Sequence, residues 1–248
     1  MPDPQSRVDR VRAYLRKAAF ESLYGPFAWL YDWVSRTFFL GQWRLWQRAA
    51  ISHLRGKRVL EIGMGTGNLQ IDMARAGFEA WGIDLSPQML RQAGLKARRL
   101  GLSPFRVCRA RAEALPFSDA AFDSLVSTFP SEYIARPDTL AELARVLAPG
   151  GTLVIVPGGW LRPRGARGRA MEGVAKAVYG YKTVPGDHVN QAADPLEQLA
   201  AHQERGFYHW ITTLGERMGE AGFAVSAGVA SNDVGSCLVI VGERRADR

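Results

Sequence analysis

Residues 59 to 67, Val59-Leu60-Glu61-Ile62-Gly63-Met64-Gly65-Thr66-Gly67, pass from apolar strand-forming positions through a carboxylate into three glycines at alternate positions. Glycine is required where the backbone turns through positive φ, or where a ligand must reach the main chain with no Cβ in the way. A helix starting there would aim its unsatisfied first N–H groups at that ligand. The run therefore predicts a strand, a tight loop and a helix, with a binding site at the loop. It is not the dinucleotide fingerprint G-x-G-x-x-G, whose third glycine would stand at position 68, where this chain has Asn68. Glu61 stands two residues before the first glycine, where a carboxylate suits a cationic ligand end better than a pyrophosphate. The alternative is a Gly-rich turn that binds nothing.

Downstream spacing weighs against that alternative. Glu79-Ala80-Trp81-Gly82-Ile83 reads as a second strand ending in Asp84, 21 residues after Gly63. A carboxylate at about that distance, at the tip of the next strand, is placed for the two hydroxyls of a ribose. Ser86 then makes an N-cap, with Pro87 at the first helical position. Further on come Arg111-Ala112-Glu113-Ala114-Leu115-Pro116-Phe117, Phe122-Asp123-Ser124-Leu125-Val126-Ser127, and Arg145-Val146-Leu147-Ala148-Pro149-Gly150-Gly151 leading into Thr152 to Val156.

Taken in order, these motifs resemble the class I S-adenosylmethionine (SAM) methyltransferases, in particular the type 11 family that includes quinone C-methyltransferases and bacterial phospholipid N-methyltransferases. The resemblance covers roughly residues 57 to 157. It implies an α/β, Rossmann-like seven-stranded sheet with helices on both faces and an antiparallel last strand. It also implies N-terminal cover helices and a cap inserted after the fifth strand. SAM is the implied cofactor, held by Glu61, Gly63, Met64, Gly65, Thr66, Gly67, Asp84, Leu85, Met89, Ala112, Glu113 and Thr128. The pattern Tyr24 to Ala28 to Tyr31-Asp32, with Arg44 beyond Gly41, is similar to the N-terminal region of these relatives. There a tyrosine encloses the methionine end of SAM, which makes Tyr31 the candidate and Tyr24 the reserve. The chain departs from the family at Arg111, where an Asp that bonds the adenine amino group is usual. Arginine has no acceptor, so an adenine contact must come from the main chain near Ala112 or from another side chain.

On this reading residues 1–57 are a helical cover segment, 58–157 the SAM-binding core, 158–195 the inserted cap and acceptor-pocket segment, and 196–248 a C-terminal helix and final strand pair. At 248 residues and 47% hydrophobic, the chain can bury a substantial core. No run of roughly 18 uncharged apolar residues exists, and the interspersed N-terminal charges do not read as a signal peptide. Cys108 and Cys237 form neither a metal-ligand spacing nor a disulfide framework. Together these predict a cytoplasmic protein with no metal.

The net charge of +8 concentrates in residues 1 to 58, which hold eleven basic against four acidic residues and many aromatics, leaving the remaining 190 residues nearly neutral. Val8, Val11, Leu15 and Ala18 fall at helical spacing between arginines, a pattern that suits an anionic membrane surface. The same helices read equally as cover over the active site, with their aromatics as core.

Catalytic candidates follow the fourth strand, at Ser127-Thr128-Phe129-Pro130-Ser131-Glu132-Tyr133. Glu132 is placed to accept a proton or pair with an amine, or merely to cap the next helix, and Tyr133 to orient the acceptor. His188, His202 and His209 read as surface or structural histidines. Expected partners are a small-molecule or lipid acceptor and an anionic membrane surface. Nucleic acid is disfavoured, because Thr128-Phe129-Pro130-Ser131 is not the Asp/Asn-Pro-Pro-aromatic tetrad of base-amine methyltransferases. An RNA methyltransferase and a non-catalytic SAM-binding or membrane-associated protein stand as alternatives. The acceptor atom and the oligomeric state are not legible.

Overall fold

The structure, a computed structural model, describes residues 42–102, 105–161, 207–232 and 235–245. The expectations placed on Tyr24, Tyr31, His188, His202, the first helices and most of the inserted cap lie outside the described residues. In chain order the elements are α1 (Gln42–Ala49) with a 3-10 turn Ala50–His53, β1 (Arg58–Ile62), α2 (Asn68–Arg75), β2 (Glu79–Asp84), α3 (Pro87–Arg99) and β3 (Arg106–Arg109). Then come β4 (Phe122–Thr128), a 3-10 turn Glu132–Ala135, α4 (Pro137–Val146), β5 (Leu147–Leu161), α5 (Phe207–Glu220), β6 (Phe223–Ser231) and β7 (Gly235–Arg244).

The seven strands form one sheet in the order β3-β2-β1-β4-β5-β7-β6. Strands β1 to β5 pair in parallel, and β7 runs antiparallel to both β5 and β6. This is the expected α/β sheet, and β6 and β7 form the expected final strand pair. Strand order reverses between β1 and β4, so the carboxyl ends of these two strands open a crevice that neighbouring connections leave uncovered.

Near-continuous apolar runs make the central strands, because helices cover both faces. The period-2 geometry of a strand sorts their side chains. Leu60, Ile62, Leu125 and Ile155 join Leu140, Leu143, Ile211 and Leu214 of α4 and α5 on one face. Val59, Val126 and Val154 join Trp46 of α1 and Leu69 and Met73 of α2 on the other. The N-cap read at Ser86 is present: its Oγ accepts from the Met89 N–H at 3.3 Å, with Pro87 in the first turn.

Two polar devices fix the connections that reach the crevice. Arg145 of α4 donates to the Phe117 carbonyl at 2.8 Å and the Leu115 carbonyl at 3.2 Å, while Glu142 accepts the Leu115 N–H at 2.7 Å. They pin the turn that carries Ala112 and Glu113. At the opposite end of β1, the Asp123 carboxylate accepts the Lys57 and Arg58 N–H groups at 2.9 Å and the Arg58 guanidinium at 2.6 Å. These charge-assisted bonds, led by the Arg58 side chain, lower the Asp123 pKa to about 2.

Candidate active site

The three glycines after β1 all take positive φ, at 70°, 54° and 75° for Gly63, Gly65 and Gly67, but each is needed for a different reason. A Cβ on Gly63 would stand 2.8 Å from the Tyr133 Oη. One on Gly67 would stand 3.0 Å from the Ala93 Cβ, so the third glycine lets α3 pack against the loop. One on Gly65 would meet nothing within 4 Å among the described residues, where that stretch of backbone lines the crevice. The loop is held from below, where the Gly63 and Met64 N–H groups both donate to the Ile83 carbonyl at 3.0 Å. From the side, the Lys96 Nζ donates to the Thr66 Oγ1 at 3.1 Å and the Asn68 Oδ1 at 2.8 Å.

Two carboxyl groups flank the loop in different environments. Asp84, at the tip of β2, accepts the Gly65 N–H on Oδ2 and the Ser86 N–H on Oδ1, both at 2.8 Å. Burial raises its pKa, and the bonds from Ser86, Gly65 and Leu85 restrain the shift. Each oxygen keeps a further lone pair, so the group presents two adjacent acceptors, the arrangement a vicinal diol requires. Glu61 is 1% exposed and its Oε2 has no hydrogen-bond partner among the described residues. Desolvation pushes its pKa well up, and the nearby charge of Asp84 acts in the same direction. A buried carboxyl oxygen without a partner is costly unless a proton or a cationic group completes it.

Around this loop lies a cleft of about 690 Å3. Of the residues expected from sequence, Gly63, Met64, Gly65, Thr66, Asp84, Leu85, Met89, Ala112, Glu113, Thr128 and Tyr133 line it. Gly67 packs beneath the loop and Glu61 lies behind it. Arg111 also lines the cleft, but its guanidinium turns to Glu113 at 2.8 Å, leaving Ala112 as the main-chain element at that wall.

The expectation that Glu132 and Tyr133 both face the cleft is corrected for one of them. Glu132 is exposed and outside the cleft wall, because in a 3-10 turn neighbouring residues point about 120° apart. Nor does it cap α4, whose N-terminus has no side-chain cap. The Tyr133 hydroxyl lies near the Ser127 hydroxyl, which donates to the Ile62 carbonyl at 2.9 Å. Burial holds its pKa at about 12, and it therefore keeps its proton at neutral pH and cannot serve as a base.

Trp43, Gln47 and Phe129 are among the lining residues not assigned to the site from sequence. Trp43 stacks on Phe129 with ring centroids 3.7 Å apart and planes at 23°. Phe129 has φ +53°, a strained setting for a bulky residue, held by its N–H to the Val156 carbonyl at 2.7 Å. The Gln47 Nε2 donates to the Thr128 Oγ1 at 3.1 Å. Arg44, paired with the largely buried Asp72 at 2.7 Å, anchors α1 to α2 and so sets Trp43 and Gln47 against the end of β4. The aromatic density around Trp43 was visible in the sequence, but nothing in it marked Gln47 or paired Trp43 with Phe129.

Residues 59–151 match a family described as methyltransferase domain. A demethylmenaquinone methyltransferase from Thermus thermophilus is 39% identical over 132 residues, which are 51% of this chain and 60% of that protein. A phosphatidylethanolamine N-methyltransferase from Cereibacter sphaeroides is 39% identical over 110 residues, 44% of this chain and 54% of that protein. The chain thus spans little more than half the length of these curated relatives. Among solved structures, a SAM-dependent methyltransferase from Aquifex aeolicus superposes with a TM-score of 0.52 at 20% identity, over 79% of this chain and 88% of that one, a likeness of fold. The glycine loop, the acidic strand tips and the strand β4 all lie within or beside the stretch 59–151, which is similar to methyltransferase domains.

Proposed function

We propose that the protein transfers a methyl group from SAM to a small or lipophilic acceptor. The observation that carries this reading is the pairing of the open Gly65 backbone with Asp84, whose carboxylate spans the loop and the start of α3. The residues suit SAM: Asp84 offers acceptors for the ribose hydroxyls, and the unpartnered Glu61 Oε2 offers a negative site behind the loop for the ammonium end. Met64, Thr66, Leu85, Met89, Ala112, Glu113 and Thr128 complete the same wall.

When bound, SAM supplies an activated methyl on a sulfonium whose charge vanishes during an in-line displacement. The chain's own task is alignment, which can contribute up to about 7 to 11 kcal/mol in favourable systems. The Tyr133 and Ser127 hydroxyls lie beside Gly63, and Thr128 with Gln47 forms a hydrogen-bonded pair beside Trp43 and Phe129. These pairs orient an acceptor without removing a proton from it. The aromatic wall favours an apolar acceptor, in keeping with relatives named for demethylmenaquinone and phosphatidylethanolamine.

Residues 158–161, expected to open the insertion, instead continue β5 in its pairing with β7, so the N-terminal segment and residues 162 to 195 are proposed as the cover over this cleft, with Tyr31 at the methionine end. The basic aromatic N-terminus is further proposed to reach an anionic membrane surface. Incubation with labelled SAM and separate lipid, quinone, small-metabolite and RNA fractions tests the proposal. Label in the lipid or quinone fraction is expected. Label in RNA would replace the acceptor class, and binding of SAM without transfer to any fraction would remove the enzymatic reading.

A further inference from the structure

The near neutrality of the chain beyond residue 58 conceals a strong segregation of charge. Between Asp84 and Glu113 there is no carboxylate, while Arg91, Lys96, Arg98, Arg99, Arg106, Arg109 and Arg111 all fall in that interval. The fold gathers these residues at one place, because α3 packs on β2 and β3, and β3 is the edge strand of the sheet.

Along α3, Met89, Ala93 and Ala97 are buried against the sheet. Arg91, Leu95 and Arg98 repeat at intervals of four and three residues, which places them on one outward face. Leu95 is 42% exposed and Leu100, just past the helix, 46%. Among the described residues no carboxylate pairs with Arg91, Arg98 or Arg99. Several of the other cations have local duties: Arg106 lies over the Trp81 ring, Arg109 donates to the Leu85 carbonyl, and Lys96 braces the loop. A groove of about 640 Å3 runs along this face, lined by Leu90, Leu95, Phe105 and Val107 and bordered by Arg91 and Arg98.

We propose that the edge formed by α3 and β3 is a docking face for an anionic lipid bilayer, with the exposed leucines entering the headgroup region and Arg91, Arg98 and Arg99 meeting lipid phosphates. Interleaved leucine and arginine is the pattern of a helix lying in a membrane interface. A nucleic acid would use the arginines and gain nothing from the leucines. Phe105, the aromatic of the groove, has its ring edge 3.3 Å from where a Cβ on Gly67 would stand, so it is turned inward and not out for base stacking. The N-terminal end of α3, with Leu85 53% exposed, also lines the cleft, so a bilayer on this face would lie beside the site's mouth. The inference is independent of methyl transfer, since it concerns a surface outside the cleft.

Sedimentation of the full chain with vesicles of phosphatidylcholine, with and without phosphatidylglycerol, tests it without SAM. Binding is expected only to the anionic vesicles and should fall with salt. The triple variant R91Q/R98Q/R99Q should bind on the order of a hundredfold more weakly, from about fivefold per basic residue, with the N-terminal segment intact. The triple variant R91K/R98K/R99K should stay close to wild type. Wild-type binding in the glutamine variant, equal loss in both variants, or a wild-type chain that retains RNA and ignores anionic vesicles would each overturn the proposal. A thermal shift with S-adenosylhomocysteine checks that both variants keep the fold.

Discussion

The two ends of the cleft are built by different means. At the Asp84 end the cleft-facing groups are main chain and strand tips: the Gly65 backbone, the Asp84 carboxylate and the wall at Ala112. At the Thr128 end they are side chains from separated parts of the sequence, Trp43 and Gln47 of α1 against Phe129 and Tyr133 beyond β4. Backbone geometry leaves a strong residue preference, because a left-handed turn or a close approach favours glycine. A side-chain wall can be built from many residue types, provided its volume is filled. The first end is therefore specified locally, and the second only through tertiary packing.

The largest expected effect falls at the first end. Asp84→Ala removes two anchored acceptors and should weaken SAM binding by roughly tenfold to a hundredfold, since a hydrogen bond to a charged group is worth ~1.5 to 3 kcal/mol. Calorimetry would read this directly. Unchanged affinity would mean that the two ends are not divided as described.

Glu61 sharpens the same end through pH. Its folded-state pKa lies well above the ordinary 4.5. As pH falls through that raised value, the native chain takes up a proton before the unfolded chain does, so this group adds stability on acidification. SAM affinity should move the opposite way, because a neutral Glu61 no longer attracts the ammonium. In Glu61→Gln both trends should flatten and affinity at neutral pH should drop. Parallel thermal melts and binding curves from neutral pH downward would measure them. Asp123 does not confuse the result: its pKa is depressed from 3.8 to about 2, so its contribution to stability is lost only as pH falls across that lower window.

At the other end, Trp43→Ala should raise KM for the acceptor by about threefold to tenfold, in line with ~0.5 to 1.5 kcal/mol for an aromatic pair, while SAM affinity stays near wild type. A loss confined to SAM binding would assign Trp43 to the cofactor and break the comparison.

What was legible in the sequence follows this division. Gly63, Gly65, Gly67, Asp84 and the Ser86-Pro87 helix start are local signals with local causes, and the structure sets all of them around one loop. The strand number and the antiparallel β7 came from the resemblance, not from periodicity. Gln47 carried no signal because its role depends on the Arg44–Asp72 pair, which turns α1 toward a strand end 81 residues away. Phe129 was read only as part of a tetrad that fails to match. Its positive φ runs against its residue type, which is where sequence reasoning fails at strained functional positions. The charge count misled in a further way: a near-zero sum hid the uninterrupted basic interval from Arg91 to Arg111, because summation discards order along the chain.

The smallest effects separate Tyr133 from its neighbour Glu132. Tyr133→Phe removes the hydroxyl that lies beside Gly63, leaving the ring and its packing in place. A neutral hydrogen bond contributes about 0.5 to 1.5 kcal/mol, so turnover should fall by no more than about tenfold, with SAM affinity nearly intact and no shift in the pH profile. The last point follows from a hydroxyl whose pKa is about 12 and which holds its proton throughout the working range. Glu132→Gln should leave turnover, KM and pH profile alike, because that carboxylate points away from the cleft on the same short turn. A lowered turnover with a displaced acidic limb in Glu132→Gln would show that the turn rotates during the reaction and brings Glu132 inward. Flat behaviour in Glu132→Gln beside a modest loss in Tyr133→Phe would leave alignment by fixed hydroxyl and aromatic groups as this wall's contribution to transfer.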